Sequence, residues 1–439
     1  MADESTQSAT STAARAFRSR DFRLYQTARL TGIIGAEAQS VAVAWFIYQL
    51  THSAAMLGLT GLALFVPGLL FMLPAGHAAD RYDRRRVILI CYAAQTLAST
   101  TLFWLSFHGA HHVGLIYAVL AVIGTSRAFS GPASSAMVPQ LVPKEHFVNA
   151  VTWGATTFQI ANMAGPAVGG LLFVIPLGGY LAVLHGAPLV FLFTVVCMLT
   201  FLALIASLDV RPGVADKRDF TLQTLFAGLH YVRENRLLLG SISLDLFAVF
   251  LGGAVSLMPI FASEILHGGP LALGVLRAAP SVGAMVTSVT LAFRPIKHRA
   301  GVKMLTCVGI FGAATVVFGL SRSMVLSLIA LFFIGASDMV SVVTRGSLLQ
   351  LATPPEMRGR VSAVNWLFIG ASNEFGEFES GITAQWWGAV RAVVVGGIGS
   401  LMVTGLWSVF FPALRNADEL TAEALLAARE THSSQEPVT

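Results

Sequence analysis

Apolar stretches long enough to span a bilayer recur along almost the whole chain, separated by short polar segments. A hydrocarbon core about 30 Å thick takes roughly 20 predominantly apolar residues in helical form. On that criterion the pattern predicts twelve membrane-spanning helices near 24–49, 56–78, 87–107, 113–136, 147–175, 183–207, 237–263, 271–293, 303–321, 325–349, 360–383 and 388–411. The expected fold class is therefore an all-α membrane protein with two six-helix bundles. The bundles cover 24–207 and 237–411, between an N-terminal tail (1–23) and a C-terminal tail (412–439). The longest polar interruption, 208–236, divides the spans six and six. Phe220, Leu222, Leu225, Phe226, Leu229 and Val232 recur in it at roughly helical spacing, so it is either an interfacial amphipathic helix or a solvated linker.

Composition strengthens this reading and adds an orientation. The 439 residues are 55% hydrophobic and only 12% charged, too apolar for a water-soluble globular chain. Forty-one glycines suit close helix packing in lipid. The net charge of +5 does not imply nucleic acid, because the basic residues follow topology. Twenty-two Lys and Arg lie in the tails and even-numbered connections, against Arg322 and Arg391 on the other face. The positive-inside rule then puts both termini in the cytoplasm. The Ser/Thr/Ala-rich start has no signal-peptide pattern. Cys91, Cys197 and Cys307 lie within apolar runs and read as packing residues.

The two halves share a weak repeat. Ile123-Gly-Thr-Ser-Arg127 aligns with Ile334-Gly-Ala-Ser-Asp338 at an offset of 211, as does Pro143-Lys-Glu145 with Pro354-Pro-Glu356. Leu57-Gly58 aligns with Leu273-Gly274 at an offset of 216. A duplicated six-helix unit is a transporter architecture, with a site near the bilayer midplane.

Candidate chemistry is confined to charges inside the spans. No phosphate-cradling GxxxxGK[ST] loop, HExxH or CxxC pattern occurs, so energy for transport is expected from an ion gradient and no cofactor or metal is expected. A charge at mid-membrane depth costs several kcal/mol unless paired or hydrated, and so marks a functional candidate. Glu37, Arg127, Asp245, Asp338, Glu374 and Glu377 are candidates for proton coupling. Glu374 and Glu377 share a helix face at i, i+3, Asp338 and Arg345 at i, i+7, and Glu37 takes Arg127 as its expected partner. Arg345 is a candidate for the substrate cavity. So are Arg29 and Arg277, whose positions nearer the span ends equally suit snorkelling to headgroups. Glu379, off the Glu374/Glu377 face, reads as structural. The alternative for each of these residues is an ion pair that fixes helix registry.

At this point the residues resemble the major facilitator superfamily, over 18–412. Gly76-His-Ala-Ala-Asp80-Arg81-Tyr82-Asp83-Arg84-Arg85-Arg86 is similar to that family's GxxxDRxGRR loop, with Asp83 in place of the usual Gly. The resemblance implies that Asp80 caps a neighbouring helix in a cytoplasmic charge network and latches one conformation. Gly154, followed by Gly165-Pro166-Ala167-Val168-Gly169-Gly170, resembles the span-five signature of proton-linked antiporters, and Arg127 is placed like the family's span-four arginine. Pro139-Gln-Leu-Val-Pro143, Met357-Arg-Gly-Arg-Val361 and Ser372–Gly381 look like the branch containing bacterial enterobactin exporters and related drug exporters. The resemblance implies a monomeric, proton-coupled antiporter exporting a small organic molecule, a siderophore or an amphipathic drug, with membrane lipid as its other partner. Uptake by proton symport and a non-transporting sensor are the alternatives; no constellation of an enzyme is present.

Overall fold

A computed structural model describes residues 16–109, 112–175, 184–209, 222–296 and 298–417. Each of the twelve apolar stretches falls on helix. The first six spans are α1 (Arg20–Thr51), α2 with α3 (Ala54–Leu70 and Met72–Arg81), α4 (Arg84–Phe107), α5 (Val113–Leu141), α6 (Phe147–Val174) and α7 (Ala187–Ala206). A short helix, α8 (Leu222–Glu234), precedes the second set. That set comprises α9 (Arg236–Leu251) with its broken continuation to Ile265, α10 (Gly269–Phe293), α11 (Ala300–Leu320), α12 (Met324–Ala352), α13 (Arg358–Trp387) and α14 (Ala389–Phe410). Among the described residues ten helices are long and apolar enough to cross a membrane by themselves, and the α2–α3 pair, bent by 55°, makes an eleventh. The remaining span, α13, is 30 residues long but carries Glu374, Glu377 and Glu379. Large apolar side chains point outward, with Ile90 at 70%, Leu97 at 69% and Val409 at 68% exposure, as an exterior solvated by lipid requires.

Local chemistry sets several helix ends. The α2–α3 bend falls four residues before Pro74, whose ring clashes with the Leu70 carbonyl and whose nitrogen has no hydrogen to donate to it. Asn235 caps α9, its side chain accepting from the Leu237 and Leu238 amides at 3.1 and 3.3 Å. Asp83, at the position where the loop departs from the usual Gly, caps α4 by accepting from the Arg85 and Arg86 amides at 2.9 and 3.3 Å. Asp83→Ala is expected to cost about 1 kcal/mol, read as a lower midpoint of thermal unfolding in detergent.

Helix contacts group the chain into two units. One holds 1–52, 63–220 and 268–278; the other holds 53–62, 221–267 and 279–439. Each unit thus contains the opening turns of a helix whose remainder belongs to the other. Within each unit the sequence repeat reappears as matched helix crossings. In the first, a Cβ on Gly274 would come 2.7 Å from the Cα of Gly170; in the second, a Cβ on Gly58 would come 3.1 Å from the Cα of Gly381. Gly58 and Gly274 are 216 residues apart and Gly170 and Gly381 are 211 apart, the two offsets of the repeat. The same correspondence relates Gly124 against the Leu64 carbonyl in the first unit to Gly335 against the Pro280 carbonyl in the second. Backbones approach this closely in lipid only where side chains are absent.

Candidate functional site

The deepest charges gather in the second unit. Asp245 of α9 and Arg345 of α12, 5% and 2% exposed, form an ion pair. Asp338 lies two helical turns before Arg345 on the same helix, half-buried and within electrostatic reach of both partners. With both carboxylates ionised, these three groups carry one net negative charge. A buried ion pair keeps its cost low only where the remaining polar atoms are also satisfied.

All three residues border a cavity of about 210 Å³ within this unit. Ser372, Asn373 and Glu377 of α13 add polar groups to its wall, while Met258, Phe311 and Leu331 contribute apolar surface. A mostly apolar hollow with a few convergent polar groups is the usual form of a small-molecule site. The cavity exists because span seven breaks beside it. After Leu251 the helix gives way at Gly252-Gly253, continues through a 3₁₀ turn (Ala254–Leu257), and ends in a π-helical turn (Phe261–Ile265). A Cβ on Gly253 would meet the Gly376 carbonyl oxygen at 2.6 Å, so α13 crosses the break at backbone distance. Discontinuous helices of this kind line substrate and ion sites in transporters. Gly252-Gly253, where a helix weakens, is a sequence signal for the break that was not read as one, and Ser372 and Asn373 entered only within the family-like Ser372–Gly381 string.

Two more of the acidic candidates, Glu374 and Glu377, also lie in this unit, whereas Glu37 lies in the first. Glu374 and Glu377 share a face, both carboxylates flanking Gly61: a Cβ there would be 2.7 Å from Glu374 Oε2 and 3.3 Å from Glu377 Oε2. Glu379 accepts a hydrogen bond from Thr383 Oγ1 at 2.7 Å.

The first unit holds Arg29, Arg127 and Arg277. Arg29 is half-buried, its guanidinium 5.9 Å from the centre of the Tyr25 ring, and both Arg29 and Arg127 are within electrostatic reach of Tyr92. Arg127 is exposed, and among the described residues no ion pair joins it to Glu37. Instead, Arg277 Nη1 donates to Ser40 Oγ at 2.9 Å, and that hydroxyl donates to the Glu37 carbonyl at 2.8 Å. The glycine string of span five explains its own composition. A Cβ on Gly154 would reach the Arg29 guanidinium at 3.0 Å, one on Gly165 would collide with the Glu37 side chain, and one on Gly169 would lie 2.9 Å from the Ala38 Cα. Pro166 stands inside α6, and its carbonyl oxygen would be 2.6 Å from a Cβ on Gly274.

In the loop after span two, Arg84 Nη1 donates to the Ala136 carbonyl at 3.0 Å, and Arg85 Nε donates to the Ile205 carbonyl at 3.1 Å. Arg85 also donates to Ala206. These cations lie toward the C-terminal ends of α5 and α7, where the helix dipole is negative. Arg81 is exposed and Gly76 half-buried. Asp80 lies in α3, but its side chain is outside the described residues.

Comparison with known proteins places this geometry. The enterobactin exporter EntS of Citrobacter koseri is 28% identical over 386 residues, covering 87% of this chain and 86% of that protein. The counterpart from Escherichia coli O1:K1 / APEC is likewise 28% identical over 386 residues, with the same coverage. Among solved structures, a bacterial homologue of the iron transporter ferroportin in its inward-facing state superposes with a TM-score of 0.67 at 15% identity. That superposition covers 89% of this chain and 99% of the homologue, and it shows a common fold. The profile of the transmembrane secretion effector family matches residues 10–435. A profile match of that extent, on two sets of six helices, makes the chain a transporter of the major facilitator superfamily.

Proposed function

We propose that this chain is a proton-coupled exporter. It moves a small organic molecule outward by alternating access, in exchange for protons moving inward across a bacterial cytoplasmic membrane, with both termini in the cytoplasm. The observation that carries this reading is the Asp245–Arg345 pair with Asp338 beside it on the cavity wall. One proton on Asp338 makes that group electrically neutral, and losing it restores one negative charge, so loading and unloading change what the cavity attracts. The substrate is a siderophore or an amphipathic drug. Similarity to enterobactin exporters supports the first, and the acidic, largely apolar cavity wall suits the second.

The test is proton flux in proteoliposomes under a fixed pH gradient, with a catecholate siderophore and a lipophilic cation offered separately. Substrate-dependent proton movement is the expected result. Absence of flux with both, from protein shown to be folded, overturns the reading. Asp338→Asn is expected to slow gradient-driven export by about tenfold or more, since a positioned proton carrier contributes on that scale, while substrate binding persists.

A further inference from the structure

Beside the carboxylates lies a second hollow of about 10 Å³, bordered by Asp245, Ser337, Asp338 and Ser341 and by apolar side chains, Val308 among them. It shares Asp245, Val249, Phe311 and Asp338 with the larger cavity, so the two hollows adjoin at these residues. Ser341 is 2% exposed and its Oγ has no hydrogen-bond partner within the protein. A serine in a helix ordinarily returns its proton to a carbonyl of the preceding turn, as Ser337 does to Phe333 at 2.6 Å. Leaving a buried hydroxyl without a partner is costly. The hollow has room for about one water, and a buried water needs two to four polar partners.

We propose that this hollow is a binding site for a single water that joins Ser341 to the two carboxylates. The hydrogen bonds balance. Ser341 Oγ–H donates to the water oxygen. The water's two hydrogens go to the Asp245 and Asp338 carboxylates, and the Ser337 hydroxyl, whose own proton is already committed to Phe333, borders the site. Three polar side chains from two helices thereby serve one molecule. The water links Asp338, on the wall of the larger cavity, to Asp245, which Arg345 already holds. Ser341 is therefore a positioning residue: it fixes the water, and the water ties the charge state of one carboxylate to the other. The charged groups around the hollow are Asp245 and Asp338 directly, Arg345 through its pair with Asp245, and Glu377 across the larger cavity.

This role rests on the proton-exporter reading, but the site itself does not, and two measurements separate them. The first is a structure of the full chain at a resolution that shows ordered water, for the wild type and for Ser341→Val, whose extra methyl fills the hollow. Density for one water within hydrogen-bonding distance of Ser341 Oγ and a carboxylate in the wild type, lost in the variant, is the expected result. No density there, or density with the five or six oxygen ligands of a sodium ion, overturns the proposal whatever the transport assay gives. The second is substrate-driven proton flux. Ser341→Val is expected to lose about tenfold in coupled rate, because the displaced water's hydrogen bonds are not replaced. Ser341→Ala keeps the hollow and is expected to lose less. Wild-type flux in Ser341→Val protein overturns the coupling role and leaves the exporter reading standing. No flux in the wild type overturns the exporter reading and leaves the density to decide the site.

Discussion

Arg345→Met is expected to cost about 3–5 kcal/mol of stability, because it strands Asp245 as a buried charge without its partner. Thermal unfolding in detergent reads the loss, and export in proteoliposomes should vanish with it. Asp245→Asn alone should be milder, since Asp338 remains within reach of the guanidinium and takes over part of its compensation. Combining Asp245→Asn with Arg345→Met removes both charges. It should recover most of the stability, since replacing a whole buried pair is often near neutral. It should not recover gradient-driven transport, because Asp338 keeps its carboxylate but loses the ion pair against which its proton changes the charge of the cavity. Equal stability of Arg345→Met and wild type would mean that the pair does not hold α9 and α12 in register. Full transport by the double variant would remove this cluster from the coupling machinery.

The second large effect is expected at the glycine crossings. A Cβ on Gly381 would lie 2.7 Å from the Ala54 carbonyl oxygen and 2.9 Å from the Gly58 Cα, backbone atoms that cannot rotate aside. Gly381→Val should therefore force the helices apart, at about 1–3 kcal/mol for overpacking, and reduce export by about tenfold or more where a reaction cycle depends on that approach. Gly170→Val in the first unit should behave alike, because Gly170 occupies the corresponding place against Gly274. Gly405→Ala is the control. Its Cβ would meet nothing within 4 Å, and removing a glycine from the interior of α14 should stabilise that helix by roughly 0.5–1 kcal/mol with export unchanged. A Gly381→Val protein with normal unfolding and transport would show that the crossing tolerates separation.

The fold was legible in the sequence because hydropathy acts over lengths the chain must satisfy independently in each span. All twelve apolar stretches became helices, and the span with most acids, 360–383, is α13. The repeat offsets were readable from Gly58 and Gly274, and from the Ile-Gly strings at 123 and 334. The reason for those glycines, backbone contact with a helix distant in sequence, was not. Pairing was the hardest part. Asp245 and Arg345 stand 100 positions apart, so no helical spacing joins them, whereas the i, i+3 relation of Glu374 and Glu377 survives intact. Glu37 lies against Gly165, and its carbonyl receives Ser40, a hydroxyl that Arg277 contacts. That arrangement depends on how helices rotate about their axes, which residue spacing leaves undetermined. The loop after span two shows a mixed outcome. Its arginines find main-chain carbonyls and Asp83, the residue that departs from the family pattern, caps α4, while the capping expected of Asp80 falls on a side chain outside the described residues.

The single excess charge of the Asp245–Asp338–Arg345 group also has an electrical consequence. An elementary charge carried across the full drop of a 100 mV membrane potential exchanges about 2.3 kcal/mol with the field, and a shorter displacement exchanges proportionally less. A neutralised group exchanges none. In the proton-coupled exchange proposed above, voltage therefore acts on the empty and the protonated cavity unequally, so the potential, and not only the pH difference, biases which of the two states moves.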